Sequence, residues 1–229
     1  MILLILINCL TPALNFTKET LYDTKCVITS PLRWDIESWS TVTGVGITTY
    51  EIMLEDETIN DFVQTHRNDK AADIFEYVGD GAIASAIVGS SWIAGELTHN
   101  YKLQKIGDLG LKSILISGLI VNCAKRVAGR IRPYNSVSSN NWMGPTLSGG
   151  ELSFPSGHTS TAFALASVVS DLYDNKWIDF IAYGTAVLGG WARINNNQHW
   201  TSDVFMGAVI GISVGKTLVK LENSNKKSR

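Results

Sequence analysis

The sequence predicts an all-α protein, a helical bundle of about five to seven helices. Three observations carry that expectation. Uncharged segments rich in Ala, Gly and Ser recur through the second half of the chain, without the strand–helix alternation of an α/β fold. The 229 residues include 20 Gly and only 5 Pro, a mixture that suits closely packed helices more than a loop-rich sandwich. The length suffices for one domain with a sizeable core rather than two.

Taken in order, residues 1–15 open with the apolar run MILLILINCLTPAL. It falls short of the roughly 20 residues of a bilayer span and reads as an export signal or N-terminal anchor that lacks the usual basic start. Residues 16–79 are mixed in character. Pro31 breaks any helix near Trp34 and Trp39, and a small-residue helix is expected from Ser40 to Met53, packed through Gly44 and Gly46. Asp56, Glu57, Ile59, Phe62 and Val63 have the spacing of a surface helix with one apolar face, and Arg67 to Lys70 reads as a charged turn.

Residues 80–221 form the expected core bundle. Its helical segments are Gly81–Leu97, Gly107–Ala128, Thr159–Leu172, Trp177–Trp191 and Val204–Leu221, and residues 222–229 are a basic, polar tail. The uncharged cores of these segments run to about 12 to 15 residues, less than a span requires. The charge layout points the other way. With alternating helices, Lys102, Lys105, Lys176, Lys216 and Lys220 gather at one end, the pattern of a membrane protein with basic residues inside. Membrane association is therefore expected.

The formal net charge of −2 gives no basic field for nucleic acid. Of the three cysteines, Cys9 lies in the targeting segment; Cys26 and Cys123 have no zinc-type spacing and read as unpaired buried thiols.

Three short clusters lie between Lys125 and Asp203, each beside an apolar helical segment. In the first, Lys125 and Arg132 stand seven residues apart, about two turns, so one helix through both puts them on one face before Pro133 stops it. A solvated basic helix end, with Arg126 and Arg130, is the better reading of that cluster on its own. In the second, Pro155-Ser156-Gly157-His158 precedes a helix. Gly157 permits a tight turn and a close approach of backbone to ligand, Ser156 adds a hydroxyl, and helix-start amides favour an anion. A plain cap with a surface His is the simpler reading of that cluster. In the third, Arg193 precedes a polar loop and His199, with Asp203 four residues later. On a helix those two side chains meet, and a carboxylate on Nδ1 leaves Nε2 as the free lone pair. An ordinary helical ion pair has the same spacing. Other templates fail: Ser156 lacks the G-x-S-x-G elbow, and no H-E-x-x-H helix or phosphate-binding P-loop occurs.

Together and in order, the clusters resemble the type-2 phosphatidic acid phosphatase family, which shares its fold and site with vanadium haloperoxidases and bacterial class A acid phosphatases. The family pattern is Lys, six residues, Arg-Pro; then Pro-Ser-Gly-His; then Ser-Arg, five residues, His, three residues, Asp. The chain departs once, with Ala192 where the family has Ser, and the resemblance covers roughly residues 80–220. It implies His199 as nucleophile, Asp203 as its orienting carboxylate and His158 as general acid. Lys125, Arg132, Ser156, Gly157 and Arg193 are implied to hold the phosphoryl oxygens, with no metal or other cofactor. The implied substrate is a phosphorylated lipid, as monoester or pyrophosphate, handled at the periplasmic face of a bacterial-type inner membrane. Alternatives are a soluble periplasmic acid phosphatase acting on small phosphomonoesters, a vanadium-dependent haloperoxidase and a non-catalytic envelope protein.

Overall fold

The computed structural model describes the backbone of residues 2–147 and 152–227 and the side chains of residues 14–147 and 152–224. Among the described residues the chain forms eight α-helices: α1 (Ile2–Ile28), α2 (Ile36–Thr65), α3 (Asp69–Phe75), α4 (Gly81–Thr98), α5 (Tyr101–Ala128), α6 (Gly157–Tyr173), α7 (Lys176–Asn195) and α8 (Thr201–Lys227). Short 3-10 turns occupy Ser30–Arg33 and Pro133–Asn135. Only isolated bridges, Arg130 with Trp142 and Ile131 with Leu152, break the helical pattern among these residues. The all-α expectation holds, and the additional helices arise before residue 80.

The chain falls into two compact units, residues 1–41 and 42–229. In the first, Arg33 ties the end of α1 by donating to the Cys26 carbonyl at 2.8 Å, and Trp34 meets Trp39 edge-on at 5.1 Å. The targeting reading of residues 1–15 concerns side chains that lie mostly outside the described residues.

The two helices expected between Ser40 and Val63 are one continuous helix, α2, most of which belongs to the second unit. Ile59 and Val63 are half-buried and Glu57 is exposed, as that face requires, but two residues depart from the expectation. Asp56 is fully buried and Phe62 is exposed, because Asp56 has buried ionic partners described below. The expected turn after Arg67 is followed at once by α3, capped by Asn68 accepting from the Ala71 amide.

Helix α6 lies at the centre, packed on α5, α7 and α8. Its contact with α8 is close because Gly207, Gly211 and Gly215 recur every four residues on one face of α8. A Cβ at any of them would come within 2.6 Å of a carbonyl oxygen of Ser156, Ser160 or Ala164. This seam seats the start of α6 against the first turn of α8. There the Ser156 amide donates to the Asp203 carbonyl at 2.9 Å.

The end of α5 corrects the reading of the first cluster. Gly129 adopts a left-handed φ of +67° and its amide returns to the Lys125 carbonyl at 2.8 Å, so the helix stops at Ala128. Arg130 and Arg132 therefore leave the helix, and Lys125 and Arg132 do not share a helical face. The helices also run longer than their uncharged cores. Two of them, Tyr101–Ala128 and Thr201–Ser224, are long and apolar enough to cross a bilayer. At the end away from the clusters, lysines join the helix termini. Lys105 pairs with Glu222 at 2.6 Å, Lys216 pairs with Asp171 at 3.0 Å, and Lys102 lies 4.7 Å from the Tyr173 ring centre.

Candidate active site

His199 sits in the turn between α7 and α8 and is 2% exposed. Its Nδ1 lies 3.3 Å from Ser153 Oγ and 3.5 Å from Asp203 Oδ2. Ser153 donates its single hydroxyl proton to that same Asp203 oxygen. With the proton committed, Ser153 Oγ can only accept from His199, so Nδ1 carries the imidazole hydrogen and Nε2 keeps its lone pair. Ser153 thus bridges the imidazole and the carboxylate that the resemblance implied as its orienting partner. Asp203 is locked in turn: Oδ2 also accepts from the Trp200 amide at 2.8 Å, and Oδ1 accepts from Arg130 Nη1 at 2.8 Å.

The cations surround this imidazole through shared neighbours. Lys125 Nζ donates to the carbonyls of Leu152 and Ser153 at 2.8 and 2.9 Å, which fixes it beside the serine. Arg132 Nη1 donates to Gln198 Oε1 at 2.6 Å, one residue before His199. The Arg193 carbonyl accepts from the His199 amide at 3.3 Å, and its guanidinium meets Glu76 at 3.5 Å. Arg193 is 6% exposed. The buried Nε groups of Arg132 and Arg193 donate to no acceptor among the described residues. Unsatisfied guanidinium donors are costly to bury, and an anion of suitable shape would satisfy both.

Ser156 is the N-cap of α6 and accepts from the Thr159 amide at 3.4 Å and the Thr159 hydroxyl at 2.9 Å. Its oxygen serves the helix, as the simple cap reading expected, and only its own hydrogen remains to give to a ligand. Gly157 is not in a left-handed turn, which corrects the tight-turn reading. A Cβ there would meet nothing closer than Val121 Cγ1 at 3.7 Å. Neither backbone nor packing demands glycine at this helix start, so the position has room for close approach to the backbone. His158 follows at the rim, a third exposed, with Nε2 3.9 Å from Asp80 Oδ2. The other oxygen of Asp80 caps α4 through the amides of Ala82 and Ile83.

Burial, aided by the Lys125 charge, pushes His199 down to about 3 against the pull of Asp203. Burial and then the Arg193 charge push His158 down to about 4, opposed by Asp80. Both imidazoles are therefore neutral near pH 7. That suits a nucleophile at His199. An acid at His158 needs a doubly charged guest, which would offset the arginines and leave Asp80 to favour the proton.

A family model, the PAP2 superfamily, matches residues 110–227, more than half of the chain and all three clusters. The chain belongs to the PAP2 superfamily. It is 38% identical over 103 residues to lipid A 1-phosphatase of Porphyromonas gingivalis, a match covering 44% of this chain and 20% of that protein's length. It is 26% identical over 196 residues to lipid A 1-phosphatase of Rhizobium etli, covering 79% of this chain and 82% of the relative. The crystal structure of Aquifex aeolicus LpxE superposes with a TM-score of 0.56 at 26% identity, over 71% of this chain and 93% of that one. Together with the two long apolar helices, these PAP2 relatives support a membrane protein.

All eight residues singled out in the sequence gather at this end of the PAP2 bundle. Sequence reasoning missed Ser153, Arg130 and Asp56. Arg130, read as part of a solvated helix end, is fully buried among polar partners. The rings of Trp142 and Tyr134 lie beside two of these arginines, Trp142 at 4.9 Å from the Arg130 guanidinium and Tyr134 at 5.9 Å from that of Arg132. Cys26 and Cys123 are free thiols, but not the buried ones expected: Cys26 is half-buried and Cys123 exposed.

Proposed function

We propose that the protein is a lipid phosphatase that hydrolyses a phosphomonoester or pyrophosphate through a phosphohistidine at His199. The observation that carries this reading is the imidazole itself, buried, neutral, its Nδ1–H committed to Ser153, beside arginines with unsatisfied donors. In the first step Nε2 of His199 forms the bond to phosphorus while the phosphorus–oxygen bond of the lipid breaks. The proton on His158 goes to the departing oxygen. In the second step His158 takes a proton from water, the water oxygen displaces Nε2, and inorganic phosphate leaves. Lys125, Arg132, Arg193 and the amides at the start of α6 balance the charge on the phosphoryl oxygens.

A lipid is favoured over a soluble ester by the surface beside the site. An apolar groove of about 410 Å³ runs between α4, α6 and α7. Its rim is Tyr77, Val78 and Gly79, the residues between Glu76, which meets Arg193, and Asp80, which meets His158. Gly79, at a φ of +84°, lets this rim lie directly on the His158 carbonyl. A phosphate at His199 would thus place an attached chain at the groove mouth. The lysines at the far end of the bundle favour that end for the cytoplasm and the site for the outer face.

The test is a panel of lipid phosphates, lipid pyrophosphates and soluble phosphomonoesters, run on purified protein in detergent with a chelator present. Turnover of the lipids above the soluble esters, lost in His199→Ala, is expected. Equal turnover of soluble esters would point to a broad acid phosphatase, and activity in His199→Ala would remove the mechanism.

A further inference from the structure

Behind Asp203 lies a second ionic group that the three sequence clusters do not contain. Arg130 is fully buried and uses four of its five N–H donors. Nε donates to the Ser139 carbonyl at 3.0 Å, and Nη1 to Ser202 Oγ at 2.7 Å and Asp203 Oδ1 at 2.8 Å. Nη2 donates to Asp56 Oδ2 at 2.7 Å. Asp56 is also fully buried; it accepts from the Ser202 amide at 2.9 Å and from the Ser202 hydroxyl. The rings of Trp142 and Trp200 lie 4.9 and 5.5 Å from the guanidinium. Asp56 comes from α2, outside the segment that matches the family model.

We propose that Asp56 and Arg130 are positioning residues for His199, and this rests on the function proposed above. Arg130 holds Oδ1 of Asp203, so Oδ2 alone turns toward Ser153 and the imidazole. By itself a buried arginine would also cancel the charge of Asp203, since paired charges in a low-dielectric interior neutralise each other. Asp56 supplies the second carboxylate. The trio of Asp56, Arg130 and Asp203 then retains one negative charge, directed at the imidazole as it becomes cationic on bonding to phosphorus. A merely structural pair that ties α2 to the core would need the same contacts but would not govern the proton on His199.

The experiment uses the full chain in detergent with Asp56→Asn, Arg130→Gln and the double variant. The first readout is the nitrogen NMR spectrum of isotope-labelled histidine, which needs no substrate and so decides the matter even if no lipid phosphate is turned over. Wild-type His199 should show one tautomer with the hydrogen on Nδ1, and Asp56→Asn a mixture. The second readout is steady-state kinetics. Asp56→Asn should lower kcat by about tenfold or more with KM nearly unchanged, as for other carboxylates that orient a histidine from behind. Arg130→Gln leaves two buried carboxylates facing each other, so adding Asp56→Asn should recover part of its loss. An unchanged tautomer and kcat in Asp56→Asn overturn the proposal, as does a double variant worse than Arg130→Gln. Should Asp56→Asn fail to fold, the double variant decides by the same spectrum. A single Nδ1–H tautomer there would overturn the proposal, and a mixture would support it.

Discussion

Replacing His199 by Gln should remove an acid-sensitive element of stability whose size follows from its burial. The folded protein holds this imidazole neutral down to about 3, whereas its ordinary value is 6.5. A histidine depressed in the fold makes the unfolded chain bind more protons between those two values, so stability is complete above about pH 6.5 and falls as the pH drops toward 3. At about 1.36 kcal/mol per pH unit, the full gap amounts to about 5 kcal/mol. Between pH 7 and pH 5 the loss is about 2 kcal/mol. For a chain of this size that corresponds to a fall in Tm of about 4–8 °C. Thermal unfolding in detergent at the two pH values, wild type against His199→Gln, isolates the residue because all other groups are common to both. The variant should lose less on acidification by about that amount. Equal slopes would refute the neutral, desolvated imidazole and with it the reasoning that makes His199 a ready nucleophile.

Three further outcomes can be measured. His158→Ala should slow first-turnover release of the alcohol from an alkyl phosphate by about 10²–10⁴-fold but spare the first-turnover release of the phenol from an aryl phosphate, whose leaving oxygen needs no proton; equal losses of that first step on both would deny it the acid role. Gly157→Ala should leave thermal stability unchanged or raise it by about 0.5 kcal/mol, since the site has room, while lowering kcat/KM by about tenfold or more; Gly207→Ala, pressed against the Ser156 carbonyl, should instead cost about 1–3 kcal/mol of stability. With the native cysteines replaced, Val137→Cys on the exposed loop after Arg132 should react in intact cells with a membrane-impermeant maleimide, and labelling only after lysis would place the site on the inner face.

The sequence made the first-rank chemistry legible and the support behind it illegible, for identifiable reasons. Lys125, Arg132, Arg193, His158, His199 and Asp203 are ionisable groups at fixed spacings, so residue type alone exposes them. Arg130 has the same chemistry, yet spacing placed it on a helix that Gly129 in fact terminates two residues earlier. A single glycine with positive φ decides whether that guanidinium points to solvent or to the core. Asp56 was read as solvent-facing because an acidic residue beside Ile59 and Phe62 normally is. Its burial depends on an arginine 74 residues away, which periodicity cannot register. Ser153 is a hydroxyl with no motif of its own, and its role emerges only from where its one proton goes. The bounds of α4 and α6 and the end of α5 lie within two residues of the expectation, where Asp80, Ser156 and Gly129 cap or end the helices, whereas α5 starts six residues earlier, at the Asn100 cap, and α8 ends six residues later. The length of α2 is not legible because the small-residue pattern of Ser40–Met53 gives way to an amphipathic one at Asp56 without a break in the helix, and the close packing expected through Gly44 and Gly46 is not found, since both have open space around them.

The most direct measurement is to quench the enzyme within its first turnover on a radiolabelled lipid phosphate and map the label. An acid-labile, base-stable phosphoryl group on the His199 peptide, lacking in His199→Ala and accumulating when His158 is removed and an aryl phosphate is used, is the result expected here. Turnover with no protein-bound phosphate at any time, or label on another residue, would contradict it.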